Sequence, residues 1–387
     1  MKILKKLMLP ISCLAIICTA GCGNDKEEHF AYTNIRSEKY TVTNNSFNFE
    51  FIEGLDLQDE VFESKDLSNY TSKGWTHYGI VDAQLIVSDD FTKEGAETKF
   101  SSLIVDIREL LDGIDMAVST VVANSDITKF NNADAGATIE LGVIGYEILS
   151  VAFAAYAFTE GFYNPALYYN VLAYGFGTAH DYPKNASALP KDEVIAKYTD
   201  LASHFGEIVL TESDGKYFVT KPAYTVEIEG ETYSLKLDLG GISKGYAVDR
   251  IEQLFDNYGY DYGMFNYGSS SMLLRGNVRA GNYNLGLVNP RSRKRDSYIE
   301  IPVRNEKLST SGDNEQYYTI DGVRYCHIID PTTGKPVQNG IMSATIIGGG
   351  AAEDDALTTA IMCMGKDKAI KFIEEKLTDR RVVFTVE

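Results

Sequence analysis

Scarcity sets the first limits on this chain. Its 387 residues include only 5 cysteines, 9 prolines and 1 tryptophan, and 36 Lys and Arg face 55 Asp and Glu. Cys13, Cys18 and Cys22 crowd the N-terminus, so the body keeps only Cys326 and Cys363, too few for a disulfide scaffold or a zinc site. Two small core residues are the default reading of that pair. The shortage of positive charge, a net −19, excludes a nucleic-acid partner, because a polyphosphate backbone is gripped by a basic surface. An acidic protein that handles an anionic nucleotide instead needs a local positive group or a bound cation. No Pro-rich linker, repeat or low-complexity tract divides the body. With 44% apolar and 24% charged residues the chain is neither disordered nor a multi-span membrane protein, and it can bury one large core or two moderate ones.

What is present begins with Lys2, Lys5 and Lys6, an apolar run from Leu7 to Ile17, and Thr19-Ala20-Gly21 directly before Cys22. A positive start, a short apolar core and a small-residue site predict an export signal over residues 1–21. The small-small-Cys ending is similar to a lipoprotein signal, with the Cys22 sulfur taking a diacylglycerol. The expected location is extracytoplasmic, lipid-anchored to the cell membrane. Loss of residues 1–21 removes three lysines and no acid, so the net charge deepens from −19 to −22. Residues 22–74 read as a tether and N-terminal extension, polar from Gly23 to Glu28 and holding one or two strands between Phe30 and Gly74.

Further on, Gln84–Val87 alternates like a strand, and Ala96–Met116 places Phe100, Leu103, Ile107 and Leu111 at helical spacing. Thr138–Thr159 is almost wholly apolar and predicts a buried helix; Lys191–Phe205 predicts an amphipathic one. Strands are expected at Lys216–Thr220, Tyr224–Ile228 and Tyr233–Leu239, with a helix opening near Ser243. Helices first, hairpin-like strands later and few strand-helix-strand alternations indicate an α+β fold.

Three segments carry candidate chemistry. In Leu237–Asp249 (LDLGGISKGYAVD) a strand ends at Leu239, two glycines turn the chain, and a helix begins. Free N–H groups at such a helix start attract anions, and Lys244 sits in the first turn, where the helix dipole disfavours a cation unless an anion is near. Read alone, an ordinary glycine turn accounts for this segment as well as a phosphate site does. In Cys326–Gly334 (CHIIDPTTG) an extended chain puts His327 and Ile329 on one face, before an Asp-Pro turn. A lone strand histidine is more often structural than catalytic. In Glu353–Thr359, entering a helix over Ala356–Met364, Asp355 and Thr359 are four apart and share a face. That pair suits a hard cation such as Mg²⁺; the competing reading is helix capping by Asp354 or Asp355.

Taken together and in order, these segments resemble the FAD:protein FMN transferases, the ApbE-like flavin transferases. The resemblance runs from about Thr76 to the C-terminus. It takes in Ser119, Ser125-Asp126-Ile127, Phe130-Asn131, Gly161–Pro165, Asn266-Tyr267-Gly268 and Ser309–Asp313. It implies a compact flavin-transferase-type domain over 75–387, with largely antiparallel sheets and flanking helices. It also implies Mg²⁺ against the FAD pyrophosphate, held by Asp355, the Thr359 hydroxyl and the Gly241 carbonyl, with Thr358 close by. By the same resemblance Asp238 and Lys244 would contact the FAD substrate, and Ile329, Phe162, Tyr163, Asn164, Val121 and Ile80 would line its pocket. The resemblance further implies that His327 helps deprotonate a Thr or Ser of an exported or membrane-bound acceptor protein, whose hydroxyl would take FMN while AMP leaves.

The departures are Asn164 for the usual Asp, Ala166 for Thr, Ser269-Ser270 after Gly268, Val121 for a common Tyr, and Ile80-Val81-Asp82 for a Met-Gly-Thr element. They gather where the FAD cavity is shaped and spare the metal and pyrophosphate parts. An FAD pyrophosphatase releasing FMN and AMP is the nearest alternative; a non-catalytic FAD-binding lipoprotein has no use for the Asp355/Thr359 pair. Asp134–Thr138 loosely resembles an acceptor motif, which makes Thr138 a candidate for self-modification.

Overall fold

The computed structural model describes Phe30–Thr33, Ser68–His77, Val81–Asp89 and residues 93–179, 181–276, 283–292 and 297–387. The N-terminal signal with Cys22, the tether and Ile80 lie outside the described residues. The architecture is α+β, and the described strand ladders are antiparallel.

An eight-stranded sheet forms the frame. From edge to edge its strands are Phe30–Thr33, Arg381–Val386, Ile341–Ile347, Glu306–Gly312, Ser271–Arg275, Gly263–Tyr267, Val81–Asp89 and Ser68–His77. The two-residue period of a strand sends alternate side chains to opposite faces. Leu85, Val87, Phe265 and Leu273 therefore pack under helices Ala96–Val118 and Ser243–Tyr258, against Leu103, Ile107, Ala247, Ile251 and Phe255. On the same side Ala344, Ile346, Val382 and Phe384 meet Leu357 and Ile361 of helix Ala351–Met364 and Phe372 of helix Lys366–Lys376. On the other side Ile86, Met264, Leu274, Leu308, Ile347 and Val383 are covered by a ribbon of Tyr283–Val288 and Ser297–Val303. Burial on both faces explains the near-continuous apolar run Ile341–Ile347. Each large aliphatic side chain so buried contributes roughly 1.5–3 kcal/mol before entropy is counted.

Several local expectations change. Thr138–Leu141 is a strand paired with Tyr217–Thr220, not the start of a helix; the helix begins at Val143, after Gly142. β-branched Thr138 and Ile139 suit the pleat, and the Gly142 N–H is taken by Asp126 Oδ2 at 2.8 Å, which fixes the break. The predicted Lys191–Phe205 helix is Asp192–Ser203 followed by a 3₁₀ turn, His204–Glu207. The strand expected over Tyr233–Leu239 stops at Ser234. Helix Ala351–Met364 starts five residues before the predicted Ala356, because Asp249 of the neighbouring helix caps it, its carboxylate accepting the Ala351 and Ala352 N–H groups at 2.9 Å each. Neither Asp354 nor Asp355 is that cap.

Candidate active site

Gly240 begins a turn, and Leu235–Leu239 before it lies outside any ladder. Its backbone is fastened by a side chain instead: the Leu237 N–H donates to Asn131 Oδ1 at 2.7 Å and Asn131 Nδ2 donates to the Leu237 carbonyl at 2.9 Å. The Asp238 N–H donates to the Pro165 carbonyl at 2.8 Å, and the Asp238 carboxylate accepts the Gly240 N–H at 2.9 Å, closing the glycine turn. The Leu239 carbonyl then accepts from Ile242 and Ser243, which starts the helix. The Gly245 N–H donates to Asp355 Oδ2 at 3.1 Å. The N–H groups of Ile242, Ser243 and Gly245, expected to be free for an external anion, are thus spent inside the protein. The positive end of this helix is answered by the Asp355 carboxylate. That also accounts for the cation in its first turn: Lys244 Nζ lies 3.9 Å from Asp355 Oδ2 and donates to the Gly240 carbonyl at 3.2 Å.

Two helix starts meet here at a distance only glycine allows. A β-carbon on Gly245 would lie 2.0 Å from the Ala351 carbonyl oxygen, well inside contact distance. The three adjacent acids of the second helix divide their roles. Arg380 binds Glu353 at 2.7 Å and Asp354 at 2.6 Å, and Asp354 also accepts the Gly349 N–H. Asp355 alone turns to the site, and it is 2% exposed. One turn on, the Thr358 and Thr359 hydroxyls lie 2.9 and 3.3 Å from the Asp355 carbonyl, and the Ser311 hydroxyl bridges them at 2.9 and 3.2 Å. A β-carbon built on Gly241 would sit 3.6 Å from Thr359 Oγ1 and 3.6 Å from the Tyr163 ring, so those three residues are neighbours.

Electrostatics ties the remaining groups to this point. Burial pushes the Asp355 and Asp238 carboxyls up, against the pull of Lys244 and of one backbone N–H each. Tyr163 is 3% exposed and its phenol is pushed well up by burial, then by Asp355 and Asp238. Its hydroxyl has no hydrogen-bond partner among the described residues. Burial pulls the His327 imidazole down to about 4, with the Gln316 carbonyl acting against it and Lys244 adding to it. His327 Nδ1 lies 3.4 Å from the Gln316 carbonyl, an acceptor, which assigns the proton to Nδ1 and the lone pair to Nε2. The neutral imidazole is therefore competent to accept a proton at neutral pH. Lys244 is the common neighbour of Asp355, Asp238 and His327.

The strand bends at His327: pairing stops at Cys326 and resumes at Ile329. Ile329 packs into the main core, and His327 lies against Phe176 of that same core with ring centroids 6.4 Å apart, while Ile328 between them joins the second core cluster. Phe162 is half-buried under the Lys368 ammonium, 4.3 Å from its ring. Asn164 spends both ends of its amide on the fold, donating to the Ala202 carbonyl at 3.0 Å and accepting the Ala166 N–H at 2.9 Å. Val121 is 67% exposed, in the loop after helix Ala96–Val118. Thr138 lies in its strand with its hydroxyl 2.9 Å from that of Thr220. Ser311, Asp249 and Asn131 received no role from the sequence; all three stand in segments that carried the resemblance, and only the fold brings them to the site.

The donors fit a hard cation. A carboxylate, two hydroxyls and a backbone carbonyl are all oxygen, and the orphaned Tyr163 hydroxyl adds another nearby. Among the described residues no cluster of three His, Cys, Asp or Glu forms a metal cage. An oxygen-only donor set suits Mg²⁺, which takes one or two carboxylates and completes its shell with water and substrate phosphates, better than zinc, which favours Cys and His.

Comparison with known proteins gives this site a context. The chain is 26% identical over 278 residues to the FAD:protein FMN transferase of Vibrio cholerae serotype O1, which covers 70% of this chain and 76% of that protein. It is 25% identical over 270 residues to the protein of the same name from Escherichia coli K12, covering 70% and 73%. Among solved structures, flavin transferase ApbE from Vibrio cholerae superposes with a TM-score of 0.65 at 23% identity, over 83% of this chain and 98% of that one. The ApbE protein of Thermotoga maritima gives a TM-score of 0.67 at 24% identity, over 82% and 94%. These structures share the fold. The family model described as the ApbE family matches residues 84–384, most of the chain, and the protein belongs to that family.

Proposed function

We propose that this protein transfers the FMN half of FAD to a Thr or Ser hydroxyl of another protein, with Mg²⁺ bound, and releases AMP. The observation that carries the reading is the meeting of Lys244, Asp355 and the Ser311-Thr358-Thr359 hydroxyls at Gly241. A nucleotide pyrophosphate needs this pairing of a cation with an oxygen-only ligand set, and curated relatives carry the name FAD:protein FMN transferase.

Asp355, Thr359 and the Gly241 carbonyl would hold Mg²⁺, with Thr358 in support; the ion would supply charge neutralisation on the pyrophosphate oxygens. Lys244 contributes a second positive charge to the same oxygens. Asp238 shapes the turn through the Gly240 N–H and borders the FAD. His327 Nε2 takes the proton of the acceptor hydroxyl as its oxygen bonds to the FMN phosphorus. The bond from that phosphorus to the bridging oxygen breaks, and AMP departs with the electron pair. FMN stays joined through a phosphoester. With Cys22 carrying a lipid, the acceptors are exported or membrane-bound proteins.

The test incubates the protein with FAD, Mg²⁺ and a candidate exported acceptor and separates AMP, free FMN and protein-bound flavin. AMP and protein-bound flavin in equal amounts are expected. AMP with free FMN alone replaces the reading by hydrolysis, and FAD bound without turnover replaces it by simple binding.

A further inference from the structure

The segment bearing Asp238 is the least conventionally supported backbone of the site. Leu235–Gly240 has no strand partner, yet Leu237 and Leu239 are fully buried, where an unpaired peptide group is costly. A single carboxamide, Asn131, meets both polar groups of Leu237, one as acceptor at 2.7 Å and one as donor at 2.9 Å. An amide side chain offers donor and acceptor side by side in one plane, as a neighbouring strand would.

Asn131 is itself held. It lies in the last turn of the short helix Asp126–Asn132, and Lys221, 1% exposed, donates to the carbonyls of Phe130, Asn131 and Ala133 at 3.2, 3.5 and 2.9 Å. A buried ammonium is tolerated there because the helix C-terminus presents partial negative charge and unpaired carbonyls. The Phe130 ring, 5.2 Å away, adds a cation–π contact. The chain of contacts runs from Lys221 through Asn131 to Leu237, and from there to Asp238 and the glycine turn.

We infer that Asn131, braced by Lys221, is a positioning residue that sets the Asp238–Gly241 turn for FAD and cation binding. It replaces a strand ladder with one side chain and touches neither substrate nor cation. The inference rests on the transferase reading only for its ligand arm.

Asn131→Ala, Asn131→Asp and Lys221→Met test it, with Asn170→Ala for comparison. Asn170 is another buried amide, which donates to the Gly334 carbonyl at 3.1 Å on a different loop. Two measurements are made on each full-length variant: hydrogen exchange by segment, and FAD affinity alongside kcat. In Asn131→Ala, exchange at Leu237 and Asp238 is expected to rise about tenfold or more, while helix Ser243–Tyr258 stays within about twofold. FAD binding is expected to weaken about tenfold, with kcat at saturating FAD within about threefold. Asn131→Asp keeps the acceptor but sets a carboxylate oxygen against the Leu237 carbonyl, so it moves both readouts in the same direction as Asn131→Ala, and Lys221→Met carries the test if neither Asn131 variant folds. Lys221→Met moves both readouts in the same direction by less, and Asn170→Ala leaves Leu237 and Asp238 unchanged. Unchanged exchange at Leu237, a uniform rise along the chain, or lost kcat with intact FAD affinity each overturns the inference. Wild-type protein that fails to bind FAD would sink the transferase reading instead and leave the exchange test standing.

Discussion

Where helices Ser243–Tyr258 and Ala351–Met364 meet, polar groups from different elements face one another: Asp355 with the Gly245 N–H and Lys244, and Ser311 with Thr358 and Thr359. In the loop Gly161–Ala166 the polar groups are consumed locally, Asn164 by Ala202 and Ala166, and the Tyr163 N–H by Thr159. The first region keeps charge under tension: burial pushes Asp355 up while one lysine and one N–H pull it down. The second has its side-chain amide satisfied and little left to offer a ligand except the Tyr163 hydroxyl. Residue type in the first region is dictated by charge and close approach; in the second it is set by packing. This is why the departures at Asn164, Ala166 and Val121 can alter a cavity without touching the charge chemistry.

The comparison breaks most visibly at Asp355. Asp355→Ala is expected to lower AMP release by about 100-fold or more, the scale of losing a central electrostatic group. An effect below about fivefold would show that the two regions do not differ in this way. Gly245→Ala forces the helices apart and is expected to cost about 3 kcal/mol or more, read by denaturant unfolding, with activity falling in parallel. Stability within 0.5 kcal/mol of wild type, on the scale of a neutral surface change, would mean the close approach relaxes freely.

His327 gives a pH signature. Its folded value is lowered from 6.5 to about 4, so the unfolded chain takes up the proton first. Stability from this residue is present above pH 6.5 and is lost as pH falls toward 4, and kcat/KM should stay flat down to about pH 5 before dropping. His327→Gln should lose most of the rate and flatten the stability profile between those limits. A profile with an unchanged slope in that variant would assign the titration elsewhere. The smallest effect belongs to the other region: Asn164→Ala should cost about 1 kcal/mol of stability and leave the Mg²⁺ dependence of turnover unchanged. A shift in that dependence would join Asn164 to the charged region.

The fold class and the three chemical segments were legible because they rest on local signals. Period-two alternation marked Gln84–Val87, helical spacing marked Ala96–Met116, which the structure extends to Val118, and the Gly-Gly turn marked the helix start near Ser243. What stayed hidden depends on long-range partners. Asp249 caps a helix 102 residues away, Asn131 replaces a strand 106 residues away, and no local pattern announces either. The same blindness misplaced the start of helix Ala351–Met364 and extended the Tyr233–Leu239 strand. A lysine against the helix dipole was an informative anomaly, but its anion proved to be Asp355, brought in by the fold. Of the proposed pocket residues, Val121 and Tyr163 stand at opposite extremes of exposure, a difference that periodicity in short segments does not resolve.

The central claim is that Asp355 holds the cation that meets the FAD pyrophosphate, at a cost to the empty protein. Thermal unfolding of wild type and Asp355→Asn, each with and without Mg²⁺ and FAD together, tests it most directly. Because burial raises the Asp355 carboxyl above its ordinary value, its charge opposes folding at neutral pH, and the ligand-free Asn variant should melt at or above the wild-type temperature. Addition of Mg²⁺ and FAD should then raise the wild-type midpoint by several degrees, as selective binding to the folded state requires, and leave the variant in place. Equal stabilisation of both proteins by Mg²⁺ and FAD would contradict the account.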